Sequence, residues 1–321
     1  MKAIGGYFEI EDRGSGTFIH NNGVLLNTGR NALEYILRSL ADVKSIYLPY
    51  FTCEVVLEPI LKLGIPYRYY HINNQLEIAE SIELEAGQYL IANNYFGIKD
   101  SYIKTLSEIY GTHLIVDCAQ AFFAPVLPGI NTFYSARKFV GVPDGGIAYC
   151  NESIDLSLFE RDYSLDRTEH LYIRKEQGAE AGFKIYQSNE LQLDNKPILC
   201  MSDFTKDMLN NIDYKRNIET RRRNFEYIHS RLADSNLLTI PSIDTFSAPM
   251  VYPYINKEGR ELRHLLIGNK VFVARYWPNV LNETQPSDIE YNLTKNIISI
   301  PIDQRYSIDD MKYIIKTIQA V

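Results

Sequence analysis

Between Ser45 and Cys150 short apolar runs alternate with segments of helical period, and this alternation limits the fold more than any other feature of the chain. Ile46 to Leu48 is an apolar run stopped by Pro49, and a helical segment follows from about Cys53 to Leu63, closed by Gly64. Ile65 to His71 and Tyr89 to Asn93 are further extended runs, and a helix over 99–110 leads to a fourth, Leu114 to Val116. Strands alternating with helices form βαβ units, so the expected fold is α/β with a mostly parallel, doubly wound sheet. In such a sheet the residues just past the carboxyl ends of strands gather in one crevice.

Three residues with chemistry to offer fall at such ends. Asp117 closes the Leu114–Val116 run, and the strand-forming run Thr132 to Tyr134 leads into Ser135 and Lys138. Gly145 and Gly146 then introduce the apolar run Ile147 to Cys150. An acid and a lysine brought together suit pyridoxal phosphate: the lysine forms a Schiff base with the aldehyde, and the acid keeps the pyridine nitrogen protonated. Taken singly, the two also read as a strand-end aspartate and a surface lysine.

The segment resembles the cofactor-binding region of the DegT/DnrJ/EryC1/StrS family of sugar aminotransferases, which are fold type I pyridoxal phosphate enzymes. That family has an acid two or three residues before Gln or His, a Ser-containing run into Lys, and a Gly-Gly turn. The matching residues are Asp117, Gln120, Ser135, Lys138, Gly145 and Gly146. The resemblance implies pyridoxal 5'-phosphate as cofactor and Lys138 as the catalytic residue that holds it and shuttles a proton. It places Asp117 at the pyridine nitrogen, Gln120 at the phenolic oxygen and Ser135 at the phosphate.

Upstream, Ala32, Leu33, Ile36, Leu37 and Leu40 share one face of a helix starting near Asn31, preceded by the capping and turn residues Asn27, Thr28 and Gly29. A helix start of this kind suits either an ordinary cap or a bound phosphate. It is similar to the family's Ser-Gly-Thr-Ala-Ala-Leu turn, which implies phosphate contacts from Gly29, Arg30 and Asn31, chiefly through backbone amides. The run Asn93 to Gly97 reads equally as a turn or as polar groups reaching a ligand. Asn94 and Tyr95, with Arg275 far downstream, are the candidate substrate contacts. The family's ring-stacking aromatic falls near Thr52-Cys53, where Cys53 stands instead, with Tyr50, Phe51 or Tyr95 as alternatives.

The chain has 321 residues, a net charge of -7 and a hydrophobic fraction of 45%. That balance argues against a general nucleic-acid binder, and the basic run Arg221 to Arg223 reads as the solvated face of a helix. Cys53, Cys118, Cys150 and Cys200 are far apart and form neither a disulfide framework nor a zinc motif, so no metal site is expected. No signal peptide and no membrane span are expected either, and a cytoplasmic protein is the simplest account.

Residues 1–26 read as an N-terminal arm packing on the small domain, 27–205 as the large cofactor-binding domain, and 206–321 as a smaller α+β C-terminal domain. The connection 153–202 shows no clear period, and the family's Asn-Tyr-Arg-Met-Ser phrase is reduced there to Met201-Ser202. A long helical stretch runs from Phe204 to Leu232. The resemblance further implies a homodimer, an amino donor such as glutamate, and a keto acceptor such as a nucleotide-linked keto-sugar. Two other readings remain: a pyridoxal phosphate enzyme of another type, such as an eliminase, and a non-catalytic or regulatory relative.

Overall fold

The computed structural model describes residues 3–320, so Met1 and Lys2 of the expected arm lie outside the described residues. The chain begins with β1 (Ile4–Gly5), β2 (Val24–Leu26) and α1 (Gly29–Ser39). The alternating part follows: β3 (Ser45–Pro49), α2 (Leu57–Lys62), β4 (Tyr67–Tyr70), β5 (Gln88–Asn93) and α3 (Asp100–Tyr110). It closes with β6 (Leu114–Cys118), β7 (Asn131–Ser135) and β8 (Gly146–Tyr149). Seven of these strands form one sheet in the order β2-β8-β7-β6-β5-β3-β4. Strands β3 to β7 pair in parallel, and β8 runs antiparallel to both of its neighbours. The residues expected to end the arm are thus an edge strand of the large sheet.

Strand alternation sorts the side chains onto two faces. Ile91, Ile115 and Phe133 join Leu33, Ile36, Ile46 and Leu48 in a core on the α1 side. Leu90, Leu114, Val116 and Tyr134 join Ile103 and Leu106 of α3 on the other. Each fully buried Leu or Ile contributes about 1.5–3 kcal/mol, and helices covering both faces are what a parallel sheet requires. The same period has a functional result. Asn93, Asp117 and Ser135 all fall on the α1 face, at the carboxyl edge of the sheet.

Beyond β8 come α4 (Glu169–Gln177), α5 (Phe183–Leu191), α6 (Asp203–Leu209) and α7 (Tyr214–Leu232). The stretch expected as one helix from Phe204 to Leu232 is broken at 210–213, where Asp213 accepts a hydrogen bond from the Arg216 amide (3.0 Å) and caps α7. The last part holds β9 (Val251–Tyr254), α8 (Gly259–Gly268), β10 (Val271–Phe272), α9 (Val280–Glu283) and α10 (Ile289–Asn296). β11 (Ile298–Pro301) and α11 (Ile308–Ile318) end it. β9 pairs with β11, and β1 pairs with β10, so the start of the chain is stitched to its C-terminal part. Ser307 and Asp310 form a capping box on α11. Among the described residues no helix is long and apolar enough to cross a membrane.

Candidate functional site

Lys138 closes a single 3-10 turn, Ala136–Lys138, directly after β7. The Phe139 and Val140 amides both donate to the Ala136 carbonyl (2.9 and 3.0 Å), which fixes the backbone while the lysine stays exposed. With Cys53, Asn93, Asp117, Gln120 and Trp277, Lys138 lines a cleft with about 230 Å³ of free space. The sheet register explains the grouping: Asn93 pairs with Asp117, so their side chains stand side by side on one face.

Asp117 is 8% exposed and accepts one hydrogen bond from the described residues, from the Ala119 amide (2.7 Å). Burial pushes its carboxyl above the ordinary range, and the opposing pull of Lys138 and the Ala119 amide does not cancel that. The acid therefore lacks a close cation or a second donor. Its neighbours are incomplete as well. Gln120 accepts the Phe96 amide through Oε1 (3.0 Å), but its Nε2 has no partner among the described residues. Asn93 donates through Nδ2 to Thr52 Oγ1 (3.0 Å), and its Oδ1 has none. An unpaired buried polar atom costs about 1–3 kcal/mol. Here a free donor and a free acceptor flank a desolvated acid, a set suited to a ligand with both kinds of polar atom.

The second end of the site lies where α1 begins. A Cβ built on Gly29 would stand 3.5 Å from Ser135 Cβ and 3.9 Å from its hydroxyl, so Ser135 sits beside the helix start. Gly146 is required there: any side chain would collide with the Thr28 carbonyl and the Gly29 amide. Ser135 makes no side-chain hydrogen bond within the described residues, and a helix start plus a free hydroxyl can hold an anion. Arg30 and Asn31 contribute less than the sequence suggests. The Arg30 guanidinium is bound by Glu58 (2.7 Å) and Asp194 (2.6 Å). The Asn31 amide is taken by Thr28 Oγ1 (3.1 Å), and its side chain by Asn27 and Pro197.

The candidate substrate contacts are mostly engaged elsewhere. Asn94 reaches the cleft wall but bonds Asp100 (2.7 Å) and the Lys99 amide (3.0 Å), locking the turn after β5. Tyr95 is buried, with its hydroxyl donating to the Phe51 carbonyl (2.9 Å). Arg275 is exposed, and its Nε donates to the Thr294 carbonyl (3.3 Å). Of the possible ring-face residues, Cys53 lines the cleft, Phe51 is wholly buried, and Tyr50 stacks on Tyr69 (4.5 Å). Of the remaining cleft residues, Asn93 belongs to the run read as a turn or as ligand-reaching polar groups, and Trp277 escaped the sequence reading. Asn93 was legible from register, since the residue paired with a strand-end acid shares its face. Trp277 had no local signal, because it arrives from the C-terminal part and packs edge-on against Phe51 (4.7 Å).

The basic run 221–223 needs correction too: Arg221 is fully buried, while only Arg223 is exposed. A wider surface groove, lined by Leu25, Leu156, Phe159, Arg161 and Lys206, includes none of the cleft residues.

No protein-family model matches the sequence, and no curated protein matches it. Solved structures do. AtS13 from Actinomadura melliaura is 13% identical with a TM-score of 0.67, over 100% of this chain and 99% of that one. The sugar aminotransferase Spr1654 from Streptococcus pneumoniae, described as putative and solved in its PMP form, is 14% identical with a TM-score of 0.63, over 98% and 93%. A DegT DnrJ EryC1 StrS aminotransferase from Brucella abortus is 15% identical with a TM-score of 0.60, over 92% and 85%. At such identities the likeness establishes architecture, and the chain has the α/β fold of these structures.

Proposed function

We propose that the chain is a pyridoxal phosphate-dependent aminotransferase that moves an amino group from a small donor, glutamate in the first instance, to a nucleotide-linked keto-sugar. The observation that carries this reading is the cleft itself: exposed Lys138, desolvated Asp117, and the unpaired Gln120 Nε2 and Asn93 Oδ1 in one wall. The residues fit the cofactor. Asp117 suits the protonated ring nitrogen, because a cation there satisfies an acid that burial has left short of partners. Gln120 Nε2 suits the phenolic oxygen, and Ser135 with the Gly29 and Arg30 amides suits the phosphate. Lys138 suits the aldehyde.

When bound, pyridoxal phosphate supplies an electron sink for the carbon that carries the amino group. The chain supplies the rest. Lys138 Nζ would take the proton from that carbon of the donor and, in the return half of the exchange, give a proton to the acceptor carbon that receives the amino group, a task for an amine exposed at the cleft. Asp117 holds its proton partner in place. Cys53 and Trp277 bound the space for a flat ring and keep water from it.

We further infer a homodimer and a division near residue 205 between a large and a smaller C-terminal domain, with the arm expected over 1–26 ending before β2, which belongs to the large sheet. Support for a second copy comes from the segment 153–202, where Leu158, Tyr163, Leu165, Tyr172, Phe183 and Leu191 are all exposed. Four free cysteines fit a reducing compartment, the cytoplasm.

The test is direct. Protein mixed with pyridoxal phosphate and reduced with borohydride is digested and weighed; the reading expects the reduced adduct on the Lys138 peptide. Glutamate should then change the visible spectrum of the unreduced protein, and a keto-sugar nucleotide should restore it. No adduct at Lys138 ends the enzyme reading.

A further inference from the structure

Arg221 is the largest side chain in the described chain with essentially no solvent exposure (0%), and no carboxylate stands within ion-pair distance of it among the described residues. Its fork is spent on neutral oxygens instead. Nε donates to Gln304 Oε1 (2.9 Å), Nη1 to the Pro249 and Met250 carbonyls (3.2 Å each), and Nη2 to the Phe139 carbonyl (3.1 Å). The guanidinium also lies over the Phe139 ring, 4.8 Å from its centroid. Burial pulls its pKa down to about 10 even though Asp303 and Glu11 favour the charged form.

Both ends of this fork lead to the cleft. Phe139 follows Lys138, and its carbonyl receives a second donor, Gln304 Nε2 (2.7 Å). On the other side the Met250 amide donates to the Phe96 carbonyl (2.8 Å), and the Phe96 amide donates to Gln120 Oε1 (3.0 Å). One guanidinium thus reaches the lysine turn directly and the Gln120 amide through the backbones of two residues, Met250 and Phe96. A fixed planar fork can bind three carbonyls and an amide at once, which an ammonium cannot.

We propose that Arg221 is a positioning residue that sets Lys138 and Gln120 against each other across the cleft. The functional part rests on the aminotransferase reading, but the structural part does not. Arg222 offers a control for the lysine side: it sits on the same helix and bonds the Phe246 and Ser247 carbonyls (2.8 and 3.0 Å), which lead by way of Asp100 to Asn94 but not to the Lys138 turn.

Hydrogen exchange read by mass spectrometry on cofactor-free protein tests the proposal. Arg221→Met should speed exchange by roughly tenfold or more in peptides covering 136–141 and 94–98 and leave β6 protected. Arg222→Met should do so near 243–247 and leave 136–141 at the wild-type rate. With cofactor and donor, Arg221→Met should lose on the order of 10²-fold in kcat, the scale of an ångström-sized misplacement, with the donor KM little changed. Unchanged exchange in the two cleft peptides overturns the proposal, and so does a uniform rise over the whole chain. If Arg221→Met does not fold, Gln304→Leu decides, since it removes one of the two donors to the Phe139 carbonyl. Wild-type exchange at 136–141 in that variant also overturns the proposal. These exchange readings need no cofactor, so they fail or stand apart from the borohydride result.

Discussion

Two polar clusters lie on either side of the Lys138 turn, and they are finished to different degrees. Behind the turn, Asp303 is held by both prongs of Arg305 (2.8 and 2.9 Å), Gln304 bonds Arg221 and Phe139, and Glu11 accepts from Gln304 and Asn217. In front of it, Asp117 has one amide, and Gln120 and Asn93 each keep an empty atom. Two buried aspartates make the contrast measurable. Burial pushes both upward; Arg305 overcomes this at Asp303 and holds it below the ordinary range, whereas nothing does so at Asp117. A polar group completed by its own chain is a strut. One left incomplete, in a chain that can satisfy its neighbours, is a receptor.

Lys138→Ala should have the largest effect on the receptor side: no borohydride-fixed adduct and no measurable amino transfer, with the melting temperature nearly unchanged because an exposed side chain leaves no cavity. Loss of folding in that variant would place Lys138 among the struts. On the strut side, Asp303→Asn should cost about 3–5 kcal/mol of unfolding free energy at neutral pH, since it leaves a buried guanidinium unpaired. Asp303 is depressed in the folded state, so its contribution is present above the unfolded value near pH 4 and lost as pH falls below it. The wild-type advantage over the variant, followed by denaturant titration, should therefore shrink below about pH 4.

Asp117→Asn should behave in the opposite sense. Its folded value is raised, so at neutral pH the cofactor-free protein carries a desolvated charge, and the variant should be equally or more stable there. The wild type recovers as pH falls toward the carboxylate range, because its folded state then binds the extra proton. With cofactor the order should reverse, and turnover should drop about 10- to 10²-fold, the kinetic equivalent of a charged hydrogen bond of about 1.5–3 kcal/mol. A variant less stable than wild type without cofactor would break the comparison. The smallest effect is expected from Gln120→Leu. It loses the bond to the Phe96 amide but removes an unpaired amide, so cofactor-free stability should move by about 1 kcal/mol or less. Cofactor affinity, by equilibrium dialysis, should fall about tenfold.

The sequence made the receptor more legible than the struts. Asp117, Gln120 and Lys138 follow strands whose apolar alternation is local, so their place at the carboxyl edge could be read from a few neighbours. Thr28 as cap and Gly146 as the glycine of a close approach belong to the same class. Arg221 was misread for a physical reason. Its partners are carbonyls at 139, 249 and 250, which no sequence pattern marks, so a basic run looked like a wet face. Helices α4 and α5 lacked period because they pack through polar contacts, among them Asn189 with His170 (2.9 Å) and Glu190 with Arg137. The Asn210–Asp213 break could have been seen, since an aspartate directly before the first helical residue, Tyr214, is a capping signal.

The stitching of β1 to β10, and of Arg221 and Gln304 to the lysine turn, bears on the order in which the molecule is made. A chain grows from its amino end and folds as it emerges. The large sheet has all its strands once residue 149 is out, yet the turn carrying Lys138 lacks the last of its braces until more than 150 further residues have followed, counting from 149 to 304. A nascent chain can therefore display the lysine before it can aim it. On the proposed reading, cofactor capture would belong to the finished molecule, and the ribosome would hold only a half-set trap.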